Sequence, residues 1–224
     1  MSSDSNLPNG FARRAGSLFC EDAQASHLAE QFGPPLYIYS QSAITEAFLT
    51  WKQAFGDARH LVCYAVKANS NIAILRLLAS LGSGFDIVSG GELERVLTAG
   101  GDAAKVVFSG VGKSPAEIRR ALEVGIRCFN VESSSELYLI EKIASERGEI
   151  ARISIRINPD VDAKTHPYIS TGLKENKFGV NAQQALELYR YAQGASHLQP
   201  VGVDCHIGSQ LTEVAPFVES VQHL

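Results

Sequence analysis

The chain lacks the signals that send a protein to a membrane, to nucleic acid or to an oxidising compartment. Its 224 residues hold no apolar run near the ~18 that a membrane helix needs. The net charge is −4 and Lys and Arg gather in no patch or stripe, so nucleic acid is not an expected partner. The 4 cysteines, Cys20, Cys63, Cys128 and Cys205, stand far apart and form no C-x-x-C pair. Three of them lie in apolar, strand-like runs, which reads as buried reduced thiols. His206 has no Glu-x-x-His or His-x-x-x-His partner, so no metal site is expected. The polar start, Met1 to Arg14, carries no apolar stretch of the signal-peptide kind. A reducing, cytoplasmic setting follows as the expectation. What is present is a 45% hydrophobic composition, enough for one large domain or two small ones.

From His60 onward the chain alternates short apolar runs with amphipathic ones. Strands are expected at Leu61–Val66, Phe85–Val88, Val106–Phe108, Cys128–Val131, Ala151–Ile157 and Val201–Cys205. Helices are expected between them, at Asn71–Leu81, Gly91–Ala99, from Ser114 to Gly125, at Ser133–Arg147, from Asn181 to Gln193, and at Val214–Leu224. The helix after Ser114 carries its own punctuation. Ser114 caps, Pro115 takes the first helical position, and Glu117 completes a capping box. Gly125 is the expected left-handed stop.

Six β-then-α units argue for a parallel sheet flanked by helices, an α/β fold. The strand ends choose between an open sheet and a barrel. Lys67, Asp86, Ser109, Asn130, Glu132, Arg156, Asn158, His206 and Ser209 fall at or just past successive strand ends. A (β/α)8 TIM barrel spreads its chemistry over every strand end, whereas an open sheet concentrates it at one switch point. Six units are two short of a full barrel. The expectation is therefore the N-terminal portion of a longer protein. Residues 1–16 read as a disordered tail. Residues 17–41 read as a segment associated with a separate C-terminal β domain, with strands at Ser17–Cys20 and Leu36–Tyr39 and a helix at Ala23–Phe32. Residues 42–224 read as the partial barrel.

Lys67 is the most informative single residue. It follows the apolar run Leu61–Val66 and precedes the polar turn Ala68-Asn69-Ser70-Asn71. A cation is costly to bury there, and a neutral amine in a pocket can condense with an aldehyde. Gly110-Val-Gly112-Lys113-Ser114 is not a phosphate loop, because the position that must be glycine is Val107. His206 reads either as a core residue or as a flat ring able to cover an aromatic cofactor, with Ser209 and the Gly208 amide as phosphate donors. Arg156 reads as an ion-pair residue or an anion binder, with Glu92 or Asp86 as partner. Asp86 and Glu92 read either as a general acid/base pair or as partners in a structural salt bridge. Residues 158–172 form a long polar loop, read as a cover over substrate.

Taken in order, five motifs resemble the diaminopimelate decarboxylases. They are Tyr64-Ala-Val-Lys67-Ala-Asn69, Gly84-Phe-Asp86-Ile-Val-Ser89-Gly-Gly-Glu92, Arg156-Ile-Asn158-Pro-Asp160, the segment from His166 to Lys177-Phe-Gly179, and His206-Ile-Gly-Ser209-Gln. The resemblance runs from about Ser17 to the end of the sequence. It implies a pyridoxal 5'-phosphate enzyme of the alanine-racemase/ornithine-decarboxylase fold type, converting meso-diaminopimelate to L-lysine and CO2 as a homodimer. It implies that Lys67 holds the cofactor aldehyde, that His206 stacks on its ring and that Ser209 helps to hold its phosphate. Asp86, Glu92 and Arg156 are placed near the cofactor, with His166 and Lys177 near the substrate loop and dimer interface. The family's glycine-rich phosphate loop and C-terminal β domain are not found, so this chain alone is expected to bind cofactor poorly and not to turn over. A non-catalytic pyridoxal-phosphate barrel, a truncated module that joins full-length subunits, and a decarboxylase of another basic amino acid are the rival readings.

Overall fold

The computed structural model describes residues 7–159, 178–209 and 211–224. It holds two sheets. The first is antiparallel, from β1 (Phe11–Arg14), β2 (Ser17–Cys20) and β3 (Ala23–Gln24). Strand β1 lies inside the stretch read from sequence as a tail, and that reading is corrected. Its pairing depends on the two-residue turn Ala15-Gly16, with φ of 51° and 83°. Positive φ at both positions matches the twist of a hairpin. Two arginines in four residues hid the strand. Leu36–Tyr39 is not a strand either; it runs past the Pro34-Pro35 pair outside any regular element, with Tyr37 83% and Tyr39 53% exposed. Helix α1 (Ala25–Phe32) follows β3, and α2 (Gln41–Ala54) leads into the second sheet. The Glu21 carboxylate ties the two parts together, accepting from the Ser42 amide at 2.7 Å and the Ser40 hydroxyl at 2.8 Å.

The second sheet is parallel throughout, in the order β4 (Cys63–Ala65), β5 (Gly84–Ile87), β6 (Val106–Phe108), β7 (Cys128–Val131), β8 (Ala151–Arg156) and β9 (Leu198–Asp204). The intervening helices are α3 (Ile72–Ser80), α4 (Gly90–Thr98), α5 (Pro115–Val124), α6 (Ser134–Arg147) and α7 (Ala182–Gly194), and α8 (Ala215–His223) follows β9. Each strand pairs with its successor, so the order never reverses. With crossovers of one hand, an unreversed order puts all helices on one face. That is barrel winding, not the double winding of an open sheet.

The two faces of this sheet differ in chemistry. The outer face is apolar: Phe85, Ile87, Val106, Phe108, Phe129, Val131, Ile153 and Ile155 are fully or almost fully buried against the helices. Helix α6 meets them with Leu137, Ile140 and Ala144, and α3 with Leu75 and Leu78, the spacing of one helix face. The inner face carries Asp86, Ser109, Asn130, Ser154, Arg156 and Asp204. The period of two in a strand separates the sets, so strand β8 reads Ile153 and Ile155 outward, Ser154 and Arg156 inward. Among the described residues no helix is long and apolar enough to cross a membrane.

Candidate active site

A cavity of about 620 Å³ opens at the carboxyl ends of the parallel strands. Its lining includes Lys67, Asp86, Ser109, Gly110, Asn130, Glu132, Arg156, Phe178, Asp204, His206 and Ser209. Lys67, Asp86, Arg156, His206 and Ser209, all singled out from sequence, are thus brought together. Glu92 is not among the lining residues. Its carboxylate turns back to accept the Val88 amide at 2.7 Å, closing the turn into α4, so it forms no acid/base pair with Asp86. His166 and Lys177 lie outside the described residues, as does most of the polar loop.

Lys67 sits in a 3-10 turn at Val66–Ala68, directly after β4. Among the described residues β4 pairs with β5 alone, and the lysine is exposed. What the fold gives Lys67 is direction, since its chain reaches the same cavity as the polar inner face.

Arg156 pairs with neither Glu92 nor Asp86. Its Nη1 donates to Glu132 Oε1 at 3.1 Å, and both side chains are buried. Glu132 directly follows β7, the strand beside β8, so sheet order selects the partner. The same Glu132 oxygen accepts the Gly110 amide at 3.0 Å. Glu132 Oε2 and Arg156 Nε are buried without a hydrogen-bond partner among the described residues. Buried polar atoms of this kind need an account, and a polar ligand in the adjoining cavity is one. Phe178 closes this side, with the guanidinium 5.5 Å from its ring centroid.

Behind the wall lies a pair that sequence reading passed over. Lys113 is fully buried and donates to Gly110 O at 2.6 Å, Asn130 O at 2.8 Å and Glu136 Oε1 at 2.6 Å. Glu136 in turn accepts the Glu132 amide at 3.1 Å. The lysine that made a false phosphate loop is therefore a clamp across two strand ends. Burial pushes the Glu136 carboxyl up, and the Lys113 ammonium opposes that.

His206 follows β9 and is half-buried. The Gly208 amide donates to its Nδ1 at 3.0 Å, so that amide is already engaged and is not a spare phosphate donor. Burial lowers the imidazole pKa, and Arg156 and Lys67 lower it further. The ring is thus a neutral, flat surface on the cavity wall. Asp204, which went unremarked in the sequence, stands opposite Arg156 in the β8–β9 register. Burial raises its carboxyl pKa from 3.8 to about 6, with Arg156 pulling it down and Asp86 and Glu132 pushing it up. The signal for Asp204 was the period of two that places it on the same face as Arg156.

A fold of this winding, with a lysine, carboxylates and a neutral imidazole converging at the strand ends, defines a cofactor-dependent barrel. Residues 41–224 match the family model for the pyridoxal binding domain of pyridoxal-dependent decarboxylases, and the chain belongs to that family. Its cofactor class is pyridoxal 5'-phosphate. Within the family the chain is similar to diaminopimelate decarboxylases. It is 61% identical over 208 residues to that of Neisseria meningitidis serogroup A, covering 93% of this chain and 51% of the relative. The crystal structure of diaminopimelate decarboxylase from Helicobacter pylori complexed with L-lysine matches with TM-score 0.85 and 54% identity, over 88% of this chain and 50% of that one. Lysine decarboxylase from Selenomonas ruminantium is more distant, with TM-score 0.77 and 28% identity over 88% of this chain and 49% of that one. The chain spans about half the length of the relatives it matches.

Proposed function

We propose that this barrel serves the pyridoxal-phosphate-dependent decarboxylation of meso-2,6-diaminopimelate to L-lysine and CO2, in a cytoplasmic enzyme that acts as a homodimer. The convergence of Lys67, His206 and Arg156 on one cavity carries the reading. The identity to diaminopimelate decarboxylases, about twice that to the lysine decarboxylase, supports the substrate.

The donor set suits the cofactor. An amine, a flat neutral ring, a hydroxyl and buried unpartnered groups face one space, which is the chemistry for an aldehyde, an aromatic ring, a phosphate and polar ring substituents. When bound, pyridoxal phosphate supplies an electron sink for the pair left behind as a carboxylate departs. The remaining work falls to the chain. Lys67 provides the primary amine that holds the aldehyde, and its exposed turn lets it move aside for a substrate amine. His206 offers its ring face and, being neutral, adds no charge against the cofactor ring. Ser209 offers a hydroxyl to the phosphate. Asp86 and Arg156 fix polar ring substituents, and the Glu132 contact holds the guanidinium in one orientation. Glu92 acts indirectly, by shaping the turn after β5.

Two measurements test this. Mixing the chain with pyridoxal phosphate gives a visible absorption band that Lys67→Ala lacks. A band of equal size in Lys67→Ala overturns the cofactor assignment. Product analysis of the full-length enzyme that carries this barrel tests the substrate. L-lysine from meso-diaminopimelate supports it, and cadaverine from L-lysine moves the reading to another basic amino acid.

A further inference from the structure

A belt of side-chain hydrogen bonds crosses four strands on the cavity side of the sheet. The Ser154 hydroxyl is 2.6 Å from Asn130 Oδ1. Asn130 Nδ2 donates to Ser109 Oγ at 3.0 Å. The Ser109 hydroxyl is 2.6 Å from Asp86 Oδ1. The Cys128 thiol also points its weak donor at Asn130 Oδ1, at 3.8 Å. The belt has a polarity. An amide nitrogen can only donate, so the Ser109 oxygen accepts from Asn130 and its own hydrogen goes to Asp86. Asp86 Oδ1 then accepts, and that hydrogen bond is stronger to a carboxylate than to the carbonyl oxygen of the neutral acid. The reverse polarity needs a protonated Asp86 and an Asn130 amide turned end for end, with its NH2 towards the Ser154 hydroxyl and the weak thiol donor.

We propose that Asn130 is a positioning residue which, through Ser109, keeps Asp86 ionised and fixed in direction on the cavity wall. The belt works against desolvation, the largest influence on Asp86, which favours the neutral acid. Other charges face the same carboxylate. Lys67 after β4, Arg156 on β8 and Lys113 before α5 favour its charge, and Asp204 on β9 opposes it. Cys63 on β4 is a further titratable neighbour, and Glu132 and His206 share the cavity. Lys67 is exposed and can shift when a ligand enters, and Arg156, held by Glu132, stands on β8 with two strands between it and Asp86. The belt, built from short neutral side chains on the sheet itself, does not depend on them. A fixed anion at this wall gives a cationic or N–H-bearing ligand one direction of approach. That last consequence rests on the cofactor reading above; the protonation state does not.

Carbon-13 spectra of the carboxyl carbons test it in the ligand-free chain, with Asp86 assigned by the signal lost in Asp86→Asn. The wild-type Asp86 carbon is expected at the carboxylate position at pH 7, and a protonated carbon there overturns the proposal without any variant. Ser109→Ala raises the Asp86 midpoint by about one pH unit, the size of one charge-assisted hydrogen bond. Asn130→Leu raises it by at least about half of that. Because Asn130 acts through Ser109, the double variant moves no further than Ser109→Ala alone. An unchanged midpoint in Asn130→Leu, or full additivity in the double variant, overturns the relay. If Asn130→Leu does not fold, Ser154→Ala breaks the same belt one link upstream and must also raise the midpoint. Failure of the Lys67-dependent absorption band with these titrations intact refutes the cofactor reading and leaves the belt standing.

Discussion

Asp204→Asn is expected to stabilise the ligand-free chain at neutral pH and to do nothing in acid. The carboxyl is buried at the end of β9 among Arg156, Asp86 and Glu132, and it titrates near 6 instead of 3.8. A displacement of about two pH units corresponds to about 3 kcal/mol at ~1.4 kcal/mol per unit. The sign follows from proton binding. The folded chain holds this proton more tightly than the unfolded chain, so the protonated acid adds stability that is complete below 3.8 and is lost as pH rises through about 6. Above that range the buried charge is a net cost, which the neutral isostere removes. The gain at pH 8 is then about 3 kcal/mol, or roughly 6–12 °C in Tm for a chain of this size. Urea unfolding of both proteins at pH 4, 6 and 8 reads the difference directly, and other titrating groups cancel between them. A variant that is less stable at pH 8, or a difference that ignores pH, refutes the reasoning. The first result would mean that the attraction of Asp204 for Arg156 outweighs its desolvation.

Three further outcomes follow from contacts of other kinds. Lys113→Met strands the buried Glu136 carboxylate and is expected to cost about 3–5 kcal/mol, whereas Lys113→Met/Glu136→Leu removes both charges and recovers most of it, by chemical denaturation. Glu117 accepts the Gly90 amide at 2.7 Å and the Ser114 amide at 2.9 Å, which depresses its pKa. Glu117→Ala should cost about 1 kcal/mol at pH 7, and the difference should vanish as acid takes the wild-type carboxylate through its depressed pKa. Gly84→Ala places a methyl 2.6 Å from Cys63 Sγ and 2.7 Å from the Lys105 carbonyl, and overpacking of that kind costs about 1–3 kcal/mol in a thermal melt.

Local punctuation was the most legible layer of the sequence. The capping box of Ser114 and Glu117, the first-turn Pro115 and the left-handed Gly125 all appear as written, because each needs only its own few residues. The six parallel strands and their succession were legible for a related reason, since a buried parallel strand is a short apolar run whatever it neighbours. Pairings between strands were not. Arg156 finds Glu132 because β7 and β8 are adjacent and their ends level, which strand order fixes and composition does not. Glu92 turns from the cavity to accept the Val88 amide four residues upstream, a local contact that strand-end position alone does not reveal. Strand β1 was hidden by its length and its two arginines.

Charge argues for where an anionic group can rest in the cavity. At the turns after β5, β6 and β7 five backbone amides are taken by the chain's own carboxylates. Glu92 takes Val88, Glu117 takes Gly90 and Ser114, Glu132 takes Gly110, and Glu136 takes Glu132. These carboxylates also offset the positive ends of α4, α5 and α6, so a phosphate there meets like charge. Helix α8 differs, opening at Val214 with no side-chain cap among the described residues. The lining residue that precedes it is Ser209, and Lys67 faces the same cavity from β4. An anion is therefore disfavoured at the turns after β5, β6 and β7, and the β9 side lacks such carboxylates among the described residues. That asymmetry favours Ser209 for the phosphate and leaves the Asp86 wall for the opposite, hydrogen-bonding edge of the ligand.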